Sequence, residues 1–289
     1  MSRVLVTGGA SGLGLALVRR FAGRGDRVLS TDITDITDFT DVTDPAVPTG
    51  PGSSEGAPGG ADRASGHAAA GDAVVRRRLD VRSEEDWEAA RAWIEAEWGG
   101  LDLLVNNAGV AGGGRIELTS LEDWQWIFDI NLFGVVRGTR AFTPMLKAQG
   151  SGRVVNVASL AGLVHPPGMG SYNAVKAAVV AFSETAAHEL APYGVGCTAV
   201  CPSFFRTNLM DSMRGEDADL AAGMSRLVDT SPISADDIAV AVLEGVDRGA
   251  ELVLPDEPAR AAYALKLADR SAYDSQMRRT ATRMKERQP

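Results

Sequence analysis

The chain has 289 residues, of which 45% are hydrophobic and 23% are charged, a composition ordinary for a globular protein that encloses a full core. Collagen-like, coiled-coil and wholly disordered chains are excluded. Lys and Arg number 29 against 38 Asp and Glu, so the net charge of −9 has the wrong sign for neutralising the phosphates of a nucleic acid or coating an anionic membrane. The sequence predicts neither nucleic acid nor membrane as a partner.

The cysteines and the N-terminus indicate a cytoplasmic protein. Cys197 and Cys201 lie four residues apart in an apolar run, and the chain has only three His. Neither a disulfide framework nor a closed zinc site can be built from these residues, so we expect a reducing compartment and no metal. Residues 1–7 contain no signal-peptide apolar region, and no uninterrupted apolar stretch approaches the length of a membrane span.

Short runs rich in β-branched residues recur along the chain, with helical patterns between them. These runs are residues 4–6, 27–30, 74–75, 101–105, 153–157, 195–200 and 251–254. Ser83, Ser120 and Ser234 each precede an acidic residue by three positions and then an apolar run, as in a capping box. Repeated βα units of this kind predict a single domain over residues 1–289, a doubly wound α/β fold with a parallel sheet of about seven strands.

The first strand leads through glycines directly into a helical pattern. Gly8 permits a tight turn, Gly12 lets the backbone approach a pyrophosphate, and Gly14 allows close helix packing. The helix N-terminus offers amide groups and a positive dipole end to phosphates. The loop, which includes Ser11 and Leu13, is therefore predicted to bind a dinucleotide.

Asp32 ends the second strand, 18 residues beyond Gly14. A carboxylate there can accept hydrogen bonds from both hydroxyls of an adenosine ribose, and its charge repels a 2′-phosphate. Residues 8–14 and the positions just after Asp32 contain no Arg or Lys to cancel that repulsion. The cofactor prediction is therefore NAD, with NADP as the alternative. A second interpretation makes Asp32 simply the first solvated residue of the acidic repeat that follows it.

Residues 33–73 do not share the βα pattern. A Thr-Asp-apolar triplet repeats from Thr31 to Asp44, and residues 45–72 then hold four Pro and seven Gly with no aromatic residue. This composition predicts a disordered, low-complexity insertion. The alternative is a cation site made by Asp35, Asp38, Asp41 and Asp44, although a period of three lacks the varied ligands of a calcium loop.

The C-terminal segment, residues 259–289, has eight Lys or Arg against three acidic residues. Its larger apolar side chains fall roughly on one face of a helix: Tyr263, Leu267, Tyr273, Met277 and Met284. We expect a basic helical extension that packs this face on the domain or on a second subunit. An acidic partner is the alternative.

Three further residues carry acid–base chemistry. Ser159 follows the predicted strand at 153–157, and Tyr172 and Lys176 are spaced to share one helix face. A tyrosine with its ordinary pKa of about 10 is a poor base, but a neighbouring ammonium group lowers that pKa. Tyr172 could then exchange a proton with an alcohol while Ser159 donates to the same oxygen. Without further context, such a pair could equally lie on a solvated helix face.

Taken together, these motifs resemble those of the short-chain dehydrogenase/reductase family in its short, single-domain form. Thr7-Gly8-x-x-x-Gly12-x-Gly14, Asp80-Val81, Asn106-Asn107-Ala108-Gly109, Asn131, Ser159 and Tyr172-x-x-x-Lys176 occur in family order. The resemblance implies a Rossmann-type, NAD(P)-binding domain. It also implies a catalytic tetrad of Asn131, Ser159, Tyr172 and Lys176.

The resemblance implies particular contacts as well. Asp80 would bind the adenine amino group, Val81 would flank the ring, and Asn107, Ala108 and Gly109 would border the cofactor. Asn131 would bend its helix and hold a water in a proton relay to Lys176, which would also bind the nicotinamide ribose. Pro202 and Thr207 would contact the nicotinamide end, although Ser203 stands where the family commonly has glycine.

From these residues we predict an NAD(H)-dependent oxidoreductase that interconverts a secondary alcohol and a ketone. Residues 160–169 and the methionines Met210, Met213 and Met224 should border the substrate, which favours a hydrophobic small molecule. We read His165, within this border, as a surface contact. The alternatives are a catalytically silent NAD(H)-binding sensor or scaffold, and an epimerase or dehydratase of the same family. Family membership also implies a homodimer or homotetramer.

Overall fold

A seven-stranded parallel sheet forms the centre of the protein, in the order β3-β2-β1-β4-β5-β6-β7. The computed structural model describes residues 1–34 and 74–286. The strands are β1 (Arg3–Thr7), β2 (Arg27–Asp32), β3 (Val74–Arg78), β4 (Leu103–Asn106), β5 (Gly152–Val157), β6 (Val195–Val200) and β7 (Leu252–Val253). The predicted seven strands and the doubly wound, single-domain fold are confirmed.

Helices connect the strands and cover both faces of the sheet. They are α1 (Gly12–Gly23), α2 (Glu84–Trp98), α3 (Leu121–Phe128), α4 (Gly134–Gln149), α5 (Ala161–Val164), α6 (Gly170–Leu190), α7 (Ala218–Asp229), α8 (Ala235–Asp247), α9 (Glu257–Ala268) and α10 (Arg270–Glu286). Ser83, Ser120 and Ser234 accept hydrogen bonds from backbone amides three residues later, as the capping pattern predicts. Ser234 and Asp237 form the complete reciprocal box. None of the described helices is long and apolar enough to cross a membrane.

Alternation along β1 divides the core into two layers. Leu5 packs with Trp87 of α2 and Phe142 of α4, whereas Val4 and Val6 belong to the cluster that includes residues of α1 and α8. Successive side chains of a strand point to opposite faces, so the two clusters lie on opposite sides of the sheet. Helices on both faces explain why the strands read as nearly continuous apolar runs.

The chain order reverses direction across the sheet between β1 and β4. From β1 the chain proceeds outward to β2 and β3, and from β4 it proceeds outward to β5, β6 and β7. Loops that leave the carboxyl ends of β1 and β4 therefore diverge and leave a crevice, where doubly wound proteins bind their ligands. The glycine loop after β1 and the segment after Asn106 lie at this point.

The predicted C-terminal extension contains two helices rather than one continuous stripe. Asp269 interrupts the helical geometry between α9 and α10, and its side chain accepts a hydrogen bond from the Ala272 amide. Leu267, at the end of α9, is exposed, whereas Tyr263, Tyr273 and Met277 pack on the domain. The predicted insertion lies outside the described residues apart from Ile33 and Thr34, and so does the alternative cation site.

Candidate active site

A cleft of about 770 Å³ lies at the carboxyl ends of the central strands, within the usual range for ligand sites. Fifteen of the seventeen predicted site residues line it: Gly8, Ser11, Gly12, Leu13, Asp32, Asp80, Val81, Asn107, Ala108, Gly109, Ser159, Tyr172, Lys176, Pro202 and Thr207. Gly14 and Asn131 lie behind its wall. The described residues contain no group of three or more His, Cys, Asp or Glu arranged to hold a metal ion.

The glycine loop forms a cradle that side chains would fill. Gly12 has φ +51°, and a Cβ there would lie 2.7 Å from the Thr207 hydroxyl oxygen. A Cβ on Gly14 would overlap the carbonyl oxygen of Gly8, so the start of α1 can approach the loop only without a side chain. Ser11 precedes α1 in an extended conformation, and its side chain does not cap the helix. This geometry fits the pyrophosphate of a dinucleotide cofactor.

Asp32 faces the glycine loop from the end of β2. Its Oδ2 accepts a hydrogen bond from the Ala10 amide at 3.0 Å, and its Oδ1 accepts one from the Ile33 amide at 2.8 Å. These bonds orient the carboxylate toward the part of the cleft that the sequence assigns to the adenosine ribose. Arg78 lies opposite Asp32 in β3, and its guanidinium is paired with Asp86 at 3.0 Å.

Asp80 is already bound by a neighbouring side chain that the sequence analysis did not single out. Arg82 donates to both carboxylate oxygens of Asp80, at 3.0 Å through Nε and 2.6 Å through Nη2, and holds the pKa of Asp80 below its usual range. The predicted contact of Asp80 with an adenine amino group would therefore share these oxygens with Arg82. The two-residue spacing of Asp80 and Arg82 was the sequence signal from which this ion pair could have been predicted.

Asn107 joins the two loops at the crevice. Its side-chain nitrogen donates to the carbonyl oxygens of Thr7 at 2.9 Å and Gly8 at 3.3 Å. The Thr7 hydroxyl in turn accepts from the backbone amides of Asn107 and Ala108, both at 3.0 Å. The glycine loop is thereby fixed to the end of β4.

Asn131 occupies a π-helical turn, Asp129–Phe133, between α3 and α4. Its side chain is fully buried, accepts from the Val110 amide at 2.8 Å and donates to the Val110 carbonyl at 2.9 Å. Such turns occur frequently at functional sites because they redirect side chains from a helix. The structure thus shows Asn131 holding the loop after β4, and its predicted role in a proton relay remains a prediction.

Ser159, Tyr172 and Lys176 meet at the inner end of the cleft. The Ser159 hydroxyl accepts from the Ala161 amide at 3.2 Å, and the Lys176 ammonium donates to the Val157 carbonyl at 2.9 Å. Lys176 Nζ lies 5.8 Å from the centre of the Tyr172 ring. The helical spacing of Tyr172 and Lys176 therefore places both on the buried face of α6 rather than on a solvated one.

Burial shifts the pKa values of Tyr172 and Lys176 in the directions that favour the neutral form of each side chain. It raises the pKa of Tyr172 to about 12, an effect partly opposed by hydrogen bonding to Ser159, and lowers the pKa of Lys176 to about 8. The expected lowering of the Tyr172 pKa by Lys176 stays a prediction. In this structure burial raises that pKa, and the Lys176 ammonium donates to the Val157 carbonyl.

The outer part of the cleft is apolar with one basic group at its rim. Met210 and Met224 line it with Trp126 of α3, while Met213 packs in the adjoining apolar cluster. Arg214, which the sequence analysis did not single out, lies 4.2 Å over the Trp126 ring. No sequence pattern marked this contact, because it depends on how the segment before α7 folds.

A partly buried ion pair anchors the segment that covers this part of the cleft. Arg115 donates to both oxygens of the buried Asp217, at 2.7 and 3.0 Å. Asp217 also caps α7 by accepting from the Leu220 amide. The start of α7 is therefore tied to the loop that follows β4.

Replacing Lys176 with Met tests the burial of its ammonium group. An unfolded lysine has a pKa of about 10.4, so above about pH 8 the unfolded chain binds more protons than the folded one. The free energy of unfolding of the wild type should therefore rise relative to Lys176→Met, by up to about 1.4 kcal/mol per pH unit. Urea unfolding from about pH 7 to about pH 10 measures this difference, and a constant difference contradicts the lowered pKa.

Comparison with known proteins agrees with the observed fold. The family described as short chain dehydrogenase matches residues 58–218. The 2-(R)-hydroxypropyl-CoM dehydrogenase of Xanthobacter autotrophicus is 36% identical over 266 residues, which cover 88% of this chain and 97% of the relative.

Solved structures agree in fold. A short chain dehydrogenase/reductase from Burkholderia phymatum in complex with NAD has a TM-score of 0.78 and 30% identity, with 93% of each chain covered. One from Burkholderia cenocepacia in complex with NADP has a TM-score of 0.74 and 27% identity, with 96% of this chain and 97% of the other covered. The chain belongs to the short-chain dehydrogenase/reductase family of oxidoreductases.

Proposed function

We propose that the protein is an NAD(H)-dependent oxidoreductase that interconverts a secondary alcohol and a ketone on a hydrophobic small molecule. One observation carries this proposal. A single cleft joins the glycine loop and Asp32 at one end to Ser159, Tyr172 and Lys176 at the other. A dinucleotide bound along it would bring its reactive end to the acid–base residues.

The chain's own residues supply proton transfer and orientation. When bound, the nicotinamide would supply or accept the hydride. In the reduction, the Tyr172 hydroxyl gives its proton to the carbonyl oxygen while Ser159 donates a hydrogen bond to that oxygen. Tyr172, whose pKa is raised by burial, holds this proton at neutral pH before the step. In the oxidation, the same phenol oxygen takes the proton from the alcohol, and a charged Lys176 favours the phenolate that this step needs.

The substrate class follows from the wall of the cleft and from a relative. Trp126, Met210 and Met224 offer a large apolar surface beside the acid–base residues. The relative from Xanthobacter autotrophicus is a dehydrogenase of a 2-hydroxypropyl compound, by its name a secondary alcohol. The wall of the cleft supports a hydrophobic substrate, and the name of the relative supports a secondary alcohol or ketone.

Asp32 supports NAD over NADP. Its carboxylate is held at the predicted ribose position, and its charge opposes a 2′-phosphate. On β3, Arg78 lies opposite Asp32 in the sheet and pairs with Asp86, and Arg77 lies over the Trp93 ring.

Titration with NADH and with NADPH tests the cofactor preference without a substrate. Energy transfer from tryptophan to the reduced nicotinamide reports binding, and the wild type should bind NADH more tightly. Hydrogen bonds to charged groups contribute about 1.5–3 kcal/mol, so Asp32→Asn should reduce the NADH-to-NADPH affinity ratio about tenfold or more. Asp211→Asn removes a charge at the other end of the cleft and should leave the ratio unchanged. Tighter NADPH binding by the wild type would reject this role for Asp32.

Tyr172→Phe tests the acid–base mechanism with the cleft intact. Removing a general acid–base group should lower kcat by about 10²–10⁴ while NADH affinity stays near that of the wild type. Tyr193→Phe, at an exposed tyrosine outside the cleft, should keep full activity. Oxidation of a panel of apolar secondary alcohols, followed by NADH absorbance, measures the effect. A fully active Tyr172→Phe enzyme contradicts the mechanism.

The same measurements distinguish the alternatives. A sensor or scaffold would bind NADH tightly and turn over no alcohol, and an epimerase or dehydratase would convert substrate without net change of the nicotinamide.

The proposal also includes a cytoplasmic homodimer or homotetramer. The exposed Leu121 and Phe133, on the helical segment around Asn131, support an assembly there, and light scattering of the purified protein measures the subunit number.

A further inference from the structure

The four-residue helix α5 has its last carbonyl groups satisfied by side chains, two of them from the C-terminal helices. His165 Nε2 lies 3.1 Å from the Gly162 oxygen, Lys266 donates to the Leu163 oxygen, and the Tyr273 hydroxyl donates to the Val164 oxygen at 2.7 Å. A helix leaves its last carbonyls without internal partners, and a single turn is too short to be stable alone. The position of α5 therefore depends on these donors.

A contact between His165 and Lys266 links the end of α5 to α9. The Lys266 ammonium lies 3.0 Å from His165 Nδ1, which fits a neutral imidazole that accepts from Lys266 and donates to the Gly162 oxygen. Burial and the nearby ammonium lower the pKa of His165, which favours this neutral form. His165 itself has φ +57°, a conformation unusual for a residue other than glycine. The surface contact expected of His165 is thus a contact with α9.

α5 forms part of the cleft and touches the catalytic serine. Leu160, Ala161 and Val164 line the cleft, and the Ala161 amide donates to the Ser159 hydroxyl oxygen. At the far end of the segment, the side chain of Asn173, next to Tyr172, donates to the Pro166 carbonyl at 2.7 Å. The segment between Ser159 and Tyr172 is therefore held from α6 on one side and from the C-terminal helices on the other.

The C-terminal helix also approaches the opposite border of the cleft. Gly168 lies where a Cβ would come within 2.6 Å of the Met284 methyl group and 3.1 Å of the Leu220 side chain on α7. Met284 of α10 therefore packs where the loop before α6 meets α7. Met169 follows Gly168 in the chain, and Met224 lies on α7 with Leu220. Both methionines line the substrate part of the cleft.

We propose that Tyr273 and Lys266 are positioning residues, which fix the substrate-side wall and Ser159 by donating hydrogen bonds to the end of α5. The inference rests on the proposed function, since it assigns a catalytic consequence to the order of this wall. A purely structural role for α9 and α10 would require only their apolar burial. The hydroxyl of Tyr273 and the ammonium of Lys266 add nothing to such burial, so removing these two groups separates the roles.

Amide hydrogen exchange of residues 160–168 in the full chain tests whether the donors hold the wall. The amides of Val164 and His165 bond within α5 and report its opening. In Tyr273→Phe they should exchange about tenfold faster, a factor that corresponds to about 1.4 kcal/mol. Tyr263→Phe is the matched control, because Tyr263 packs on the same apolar cluster and no described residue hydrogen-bonds its hydroxyl. Equal exchange in the two variants overturns the proposal, whether or not the enzyme is active.

Steady-state kinetics test the catalytic consequence. Tyr273→Phe and Lys266→Met should lower kcat/KM for a secondary alcohol about tenfold, with NADH affinity within about twofold of the wild type. Lys266→Arg, which keeps a donor, should recover most of the loss, whereas a role in stability alone would change the urea midpoint and leave kcat/KM per folded enzyme unchanged. Faster exchange with unchanged kcat/KM overturns the positioning role. A wild type that turns over no alcohol refutes the proposed function, and the exchange result still decides whether the donors hold α5.

Discussion

The close approach of the glycine loop to the end of β4 is the contact on which the rest of the site depends. The Asn107 side chain donates to the carbonyls of Thr7 and Gly8, and the first turn of α1 rests against Gly8 where a Cβ on Gly14 would overlap it. Because these contacts lie where the chain order reverses, they also set the width of the crevice. Everything that lines the cleft beyond Asn107 is positioned relative to this junction.

Burial then gives the acid–base residues their chemistry. Tyr172 and Lys176 both lie on the inner face of α6, and desolvation moves their pKa values apart, to about 12 and about 8. Proton transfer through Tyr172 would interconvert its phenol and phenolate forms in both directions of the proposed reaction. A charged Lys176 would favour the phenolate in both, so the charge state of this one buried lysine would affect the oxidation and the reduction alike.

The sequence predicted the structure correctly where a local rule determines it. The seven strands, the serine caps and the placement of Asp32 follow from apolar runs, capping chemistry and the spacing after Gly14. It failed where the outcome depends on contacts distant in the chain. The stacking of Arg214 on Trp126 and the burial of Tyr172 have no periodic signal, and a spacing of four cannot show which face of α6 is covered.

The C-terminal helices show why such distant contacts matter for a small site. A four-residue helix beside Ser159 cannot supply its own last hydrogen bonds, and α6 already commits Asn173 to the neighbouring loop. Donors must therefore come from another part of the chain, and Lys266 and Tyr273 provide them from more than 100 residues away. A substitution in the C-terminal helices can in this way alter this wall of the cleft while Ser159, Tyr172 and Lys176 stay unchanged.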